Sequence, residues 1–167
     1  MTRAAHHWDP SAYATHGAFV PALGVAVLDL LVPQAGERIL DLGCGDGVLT
    51  EKLQAAGAQV VGVDADLAMV EVHCMPRPDR VAAGVFRALR PGGRYVGELG
   101  GQGNIAAIRT AVRAVLLRRG NAVAARETQW YPNPRTFRAV HEAAGFAVEQ
   151  AELLYRPTRY RPGWRDG

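Results

Sequence analysis

One stretch constrains this chain more than any other: residues 38–47, RILDLGCGDG. Ile39, Leu40, Asp41 and Leu42 read as a buried strand. Gly43, Gly45 and Gly47 then space a turn. Val48, Leu49 and Leu53 set the apolar period of a helix that Gly57 closes. A second buried strand follows over 59–63, QVVGV, with Asp64 at its carboxyl end. Strand, glycine turn, helix, strand and acid make the first half of a doubly wound α/β fold. In such a fold the ligand sits where the strands end and the helix begins.

The chemistry accounts for the residue types. A turn without β-carbons lets backbone N–H groups approach a ligand closely, and a helix N-terminus favours negative charge. Asp64 is placed to accept hydrogen bonds from the 2′- and 3′-hydroxyls of a ribose. It lies 21 residues after Gly43, close to the spacing a nucleoside ligand requires. The competing reading is an ordinary tight turn with a surface aspartate. A lone glycine pair would leave the two level; the flanking strands and the acid favour a nucleoside-containing cofactor.

The spacing also discriminates between cofactors. The dinucleotide fingerprint is G-x-G-x-x-G, whereas here the third glycine, Gly47, comes one position early. Asp41, two residues before the turn, would repel a pyrophosphate but would hold an ammonium or a sulfonium-bearing amino acid. "LDLGCGDG" together with "VGVD" resembles the S-adenosylmethionine site of class I methyltransferases, which have a Rossmann-like, mostly parallel sheet. "LRPGGRYV", Leu89 to Val96, resembles that family's turn into its fifth strand, so Arg94 to Leu99 is expected to be a strand. The resemblance covers most of the chain from about Trp8 to Pro157. It implies S-adenosyl-L-methionine as cofactor, held by Asp41, Gly43, Cys44, Gly45, Asp64 and Ala65. It implies no metal.

The same resemblance exposes a departure. The family carries two further strands between the positions of Asp64 and Asp79. Its third strand ends in an acid that contacts the adenine, and its fourth ends near the methyl group. Residues 65–79 number only 15, and one βαβ unit needs about 30. Asp66 reads as the cap of a helix with Met69, Val70 and His73 on its inner side, stopped by Pro76 and Pro78; Asp79 opens the next, with Val81, Val85, Phe86 and Leu89 on one face. We read the span as an internal deletion of about 30–40 residues, one βαβ unit and a loop. The alternative is a shorter connection that solves the same geometry. With the fourth strand gone, the first and fifth must pair directly or leave ladder groups open, at about 1–3 kcal/mol for each buried one.

Before the first strand, residues 1–36 read as a helical cap. Ser11 caps a short helix, Pro21 opens another, and Tyr13 and His16 are candidate ligand contacts set against the more ordinary reading that they pack or face solvent. Residues 37–155 form the reduced cofactor domain. Within it Asn104 is expected to cap a helix with the apolar stripe Ile105, Ile108, Val112, Val115 and Leu116, ended by Gly120. Arg109 and Arg113 on that helix are read as solvated, although an inward arginine there would suit a substrate carboxylate. Asn133 caps a last helix with Pro134 at its first position, and residues 146–155 read as a strand. This ending resembles the trans-aconitate methyltransferase branch. Residues 156–167 lack a core pattern and read as a disordered tail.

The 167 residues suffice for one domain with a core, and 49% hydrophobic with 21% charged residues is a globular composition. No window is long and apolar enough to span a membrane, and the first residues lack an apolar signal core, which favours the cytoplasm. Cys44 and Cys74 make neither a metal pattern nor a disulfide framework. Residues 1–79 hold 4 basic and 10 acidic side chains, a net −6, and residues 80–167 hold 15 and 6, a net +9. Without interleaved aromatics the basic half reads as a solvated arginine-rich surface rather than a nucleic-acid groove.

The expected function is S-adenosylmethionine-dependent methyl transfer to a small molecule, impaired by loss of the segment before Asp79. The alternative is a non-catalytic nucleoside- or partner-binding relic of the same fold. A nicotinamide oxidoreductase is disfavoured by Asp41 and the glycine spacing. No catalytic residue is assigned; His73 is the one candidate base by position, and reads rather as a remnant of the junction. Oligomeric state is left open, although an unpaired strand edge favours association.

Overall fold

A computed structural model describes residues 19–64, 77–126 and 129–156, with side chains from Gly24 onward. Seven elements follow one another: α1 (Phe19–Leu31), β1 (Arg38–Leu42), α2 (Val48–Ala55), β2 (Gln59–Val63), α3 (Pro78–Ala88), α4 (Ala106–Arg118) and α5 (Pro134–Ala143). The expected helix capped by Ser11, that opened by Asp66 and the tail beyond Arg156 lie outside the described residues, as do Tyr13, His16, Ala65, His73 and Cys74.

β1 and β2 pair in parallel, from Arg38 opposite Gln59 to Leu42 opposite Val63. The strand, turn, helix and strand read from residues 38–63 are thus present, and α/β is the fold class. Helix α2 packs on β2 and on α1. Its Leu53 is 4% exposed and, with Ala58, centres the small core of this first unit. Gly57, at φ 86°, turns the chain back, and Gly36 N–H donates to its carbonyl at 2.8 Å.

Two expected strands do not form. Residues 94–99 and 146–155 contain no ladder among the described residues, and the sheet stops at two strands. A strand exists only through its neighbour's hydrogen bonds. The strand that would separate β1 from residues 94–99 is absent among the described residues, and the sheet has not closed over the gap. The outcome is the open arrangement, with β1 paired along one edge.

Residues 94–99 are instead held by side chains. The Arg94 guanidinium donates to Leu31 O at 2.9 Å and Val32 O at 3.3 Å, and pairs with the Glu37 carboxylate at 2.8 Å. This clasp ties the first unit to a second. There α3 packs on α5, and the rings of Phe86, Tyr95, Phe137, His141 and Phe146 stack and tilt against one another. Asn133 Oδ1 accepts from Thr136 N–H at 2.8 Å and Pro134 follows, so α5 starts as the sequence indicates. Three helix starts differ from expectation. α1 begins at Phe19, so Pro21 stands at its third position rather than opening it. Pro78 rather than Asp79 opens α3, since proline suits the first position and Asp79 turns back to Arg77. Ile105 at φ 44° precedes α4, because Asn104 is already spent in a turn closed by its own N–H on Gly101 O at 3.0 Å.

Candidate functional site

The turn between β1 and α2 carries the site. Gly43, Gly45 and Gly47 all take positive φ, at 82°, 52° and 84°. Side chains with a β-carbon avoid this region, which is why glycine recurs at every second position. Gly43 N–H donates to Val63 O at 2.8 Å, so the turn begins as a continuation of the ladder. Gly47 N–H donates to Cys44 O at 2.9 Å and closes it. A β-carbon on Gly47 would meet nothing within 4 Å, so the bend opens outward.

Asp64 reaches across from the end of β2. Its Oδ2 accepts from Gly45 N–H at 2.9 Å, which fixes the acid against the middle of the glycine turn. Asp41 Oδ2 accepts from the Thr50 hydroxyl at 2.6 Å, one turn into α2. Cys44 lies between the two acids. Burial pushes its thiol above the ordinary range, and the negative charges of Asp41 and Asp64 push it further. The turn therefore lies in a negative field, opposite to what a pyrophosphate requires and suited to a cation.

The structure brings five of the six expected cofactor residues together: Asp41, Gly43, Cys44, Gly45 and Asp64. Ala65 lies outside the described residues. Two neighbours had not been singled out. Thr50 anchors Asp41, and a threonine in a first helical turn carries no signal of its own. Gly62 runs beneath Cys44, where a β-carbon would sit 3.0 Å from the cysteine Sγ; a glycine inside a strand pattern does mark such a close approach.

A second surface lies after residues 94–99. Gln102, Arg109, Trp130 and Tyr131 line a groove of about 400 Å³. The Arg109 guanidinium lies over the Tyr131 ring, 4.7 Å from its centroid. Arg109 is therefore drawn onto an aromatic face rather than simply solvated as the helix pattern suggests, while Arg113 is exposed. Among the described residues no cluster of histidine, cysteine and acids could hold a metal, and no helix is long and apolar enough to cross a membrane.

Comparison with known proteins agrees with this geometry. Residues 19–95, from α1 through the turn to Tyr95, match the family model of a methyltransferase domain. An uncharacterized methyltransferase of Schizosaccharomyces pombe is 29% identical over 91% of this chain and 75% of its own length. Ubiquinone biosynthesis O-methyltransferases of Ralstonia nicotianae (33% identical) and Burkholderia multivorans (35%) match 51% of this chain. Those matches span only 39% and 40% of the relatives' own lengths. The fission yeast alignment runs over 198 positions, 31 more than the 167 residues of this chain, so that relative has at least that many positions without a counterpart here. Over its first half the chain is thus similar to methyltransferase domains, and the parallel βαβ unit and glycine turn lie within the matched residues.

Proposed function

We propose that the chain binds S-adenosyl-L-methionine at the turn between β1 and α2 and serves methyl transfer to a small-molecule acceptor. The observation that carries this reading is the pairing of Asp64 with Gly45, which sets a carboxylate beside open backbone at the carboxyl end of a parallel βαβ unit. Asp64 would take the ribose hydroxyls, and the turn of Gly43, Cys44 and Gly45 would pack against the nucleoside. Asp41, anchored by Thr50, would hold the cationic amino-acid end. These residues fit the group, because a sulfonium and an ammonium suit a turn flanked by the Asp41 and Asp64 carboxylates. When bound, the cofactor supplies a methyl carbon on a sulfonium, which passes to the acceptor as the sulfur leaves as a neutral thioether. The chain's contribution is alignment and exclusion of water.

The acceptor end is assigned to the groove of Gln102, Arg109, Trp130 and Tyr131. An arginine beside two aromatic rings suits a small carboxylate, as in the trans-aconitate methyltransferase-like branch that the C-terminal pattern resembles. The ubiquinone-pathway relatives are named as O-methyltransferases, which also makes oxygen the acceptor atom of choice.

A second reading is favoured by one observation. The sheet ends at two strands among the described residues, so the adenine lacks the wall that a third strand supplies in the family. The chain would then be a nucleoside-binding relic without turnover. Calorimetric titration with S-adenosylhomocysteine separates the readings, with Asp64→Ala as control. Micromolar binding that the substitution abolishes supports the methyltransferase site. No binding by a folded chain removes it.

A further inference from the structure

We propose that the C-terminal end of α4 carries an anion site, separate from the glycine turn and from the Arg109 groove, that takes a small organic phosphate with an apolar body. A cavity of about 590 Å³ lies there, lined by Arg113, Leu117, Ala122, Ala125 and Arg126. It shares no lining residue with the groove of Gln102, Arg109, Trp130 and Tyr131.

The local sequence builds this cavity. Arg113 and Leu117 are four residues apart on α4 and stand on one face of it. Gly120, at φ 73°, ends the helix. Its N–H donates to Leu117 O at 3.0 Å, and the Asn121 N–H donates to Leu116 O at 2.9 Å. These two bonds reverse a chain at a helix end. Asn121 then holds the following residues in a turn. Its Oδ1 accepts from Ala124 N–H at 3.1 Å and its backbone O from Ala125 N–H at 3.2 Å. Ala125 is 8% exposed, and Arg126 comes next. The helix end thus brings two arginines, 13 residues apart in sequence, to one cavity.

Like charges in one cavity repel unless an opposite charge joins them. Elsewhere Arg94, Arg138 and Arg156 each pair with a carboxylate, and Arg109 lies on a ring. Among the described residues no acid lines this cavity, and neither the Arg113 nor the Arg126 guanidinium makes an ion pair, a hydrogen bond or a ring contact. A bound anion would supply the counter-charge that the chain does not. Each guanidinium offers a planar fork of N–H donors that matches phosphate oxygens. Two of them match a phosphate monoester, which carries a charge of about −2 near neutral pH. Leu117, Ala122 and Ala125 make the rest of the lining apolar and suit the carbon body of the ester. Among the described residues the lining has no aromatic ring, so it lacks the stacking platform of a nucleic-acid groove.

Calorimetric titration of the full chain with phenyl phosphate, in the absence of cofactor, tests this. One saturable site per chain is expected, with inorganic phosphate binding more weakly. Arg113→Gln and Arg126→Gln each weaken phenyl phosphate by about tenfold or more, while Arg109→Gln leaves it unchanged. Arg113 and Arg126 are exposed, and circular dichroism checks that each variant keeps the native helix content. A folded chain without saturable binding overturns the proposal. So does binding that either Arg113→Gln or Arg126→Gln retains at full strength. So does binding lost in Arg109→Gln, which means that the ester sits in the acceptor groove. Inorganic phosphate binding as tightly as the ester leaves no place for an apolar body and also overturns it. So does an oligothymidylate that displaces phenyl phosphate at lower concentration than the ester itself, which means a nucleic-acid surface.

Discussion

His141 is 5% exposed, lodged between Phe137 and Tyr95, and its Nδ1–H donates to Phe137 O at 2.9 Å. Burial holds its pKa below the ordinary 6.5, against the smaller upward pull of that hydrogen bond. The folded ring is therefore neutral where the unfolded one takes a proton. Stability is complete above pH 6.5 and falls as pH drops through the lowered folded value. Urea midpoints should decline over that window, and His141→Phe should flatten the decline. Gly145 makes a second test. It sits at φ 108°, and a β-carbon there would meet the Phe86 ring at 2.8 Å. Gly145→Ala should destabilise by about 1 kcal/mol or more, read from the same urea curves. At the turn, Thr50→Val removes the donor to Asp41, and calorimetry should show weaker cofactor binding with α2 intact.

Elements whose signals are local were legible in the sequence. Asn133 followed by Pro134 marked the start of α5, and Asn133→Ala should cost about 1 kcal/mol in chemical unfolding. Gly57, Gly120 and Gly145 marked ends, and all three take positive φ. The glycine turn and Asp64 were legible because backbone conformation and ligand chemistry both restrict the residues that fit. The absence of a strand at 94–99 was not, because the apolar residues there state only that a strand would suit them. Whether one forms depends on a neighbour that these residues do not encode, and Arg94 clasps α1 instead. Thr50 and the Arg109–Tyr131 contact were hidden for a related reason: each is a side-chain meeting fixed by packing between segments.

At the scale of the whole molecule, the packed pairs of described elements fall into two groups. One is the βαβ unit with α1 on it, and the other is the aromatic cluster of α3 and α5. No packed pair of described elements bridges them, and the Arg94 clasp with Glu37 and the end of α1 does. A protein joined in this way need not melt as one. Differential scanning calorimetry should resolve two heat-absorption peaks whose van't Hoff enthalpies each fall short of the total heat. Ligand at the glycine turn should raise one peak and leave the other in place, and Gly145→Ala should do the reverse. Arg94→Ala should pull the peaks further apart. Cooperativity, which most domains of this length draw from a shared interior, would here draw on a surface clasp around one guanidinium group, and one group of elements would keep its structure when the other is lost.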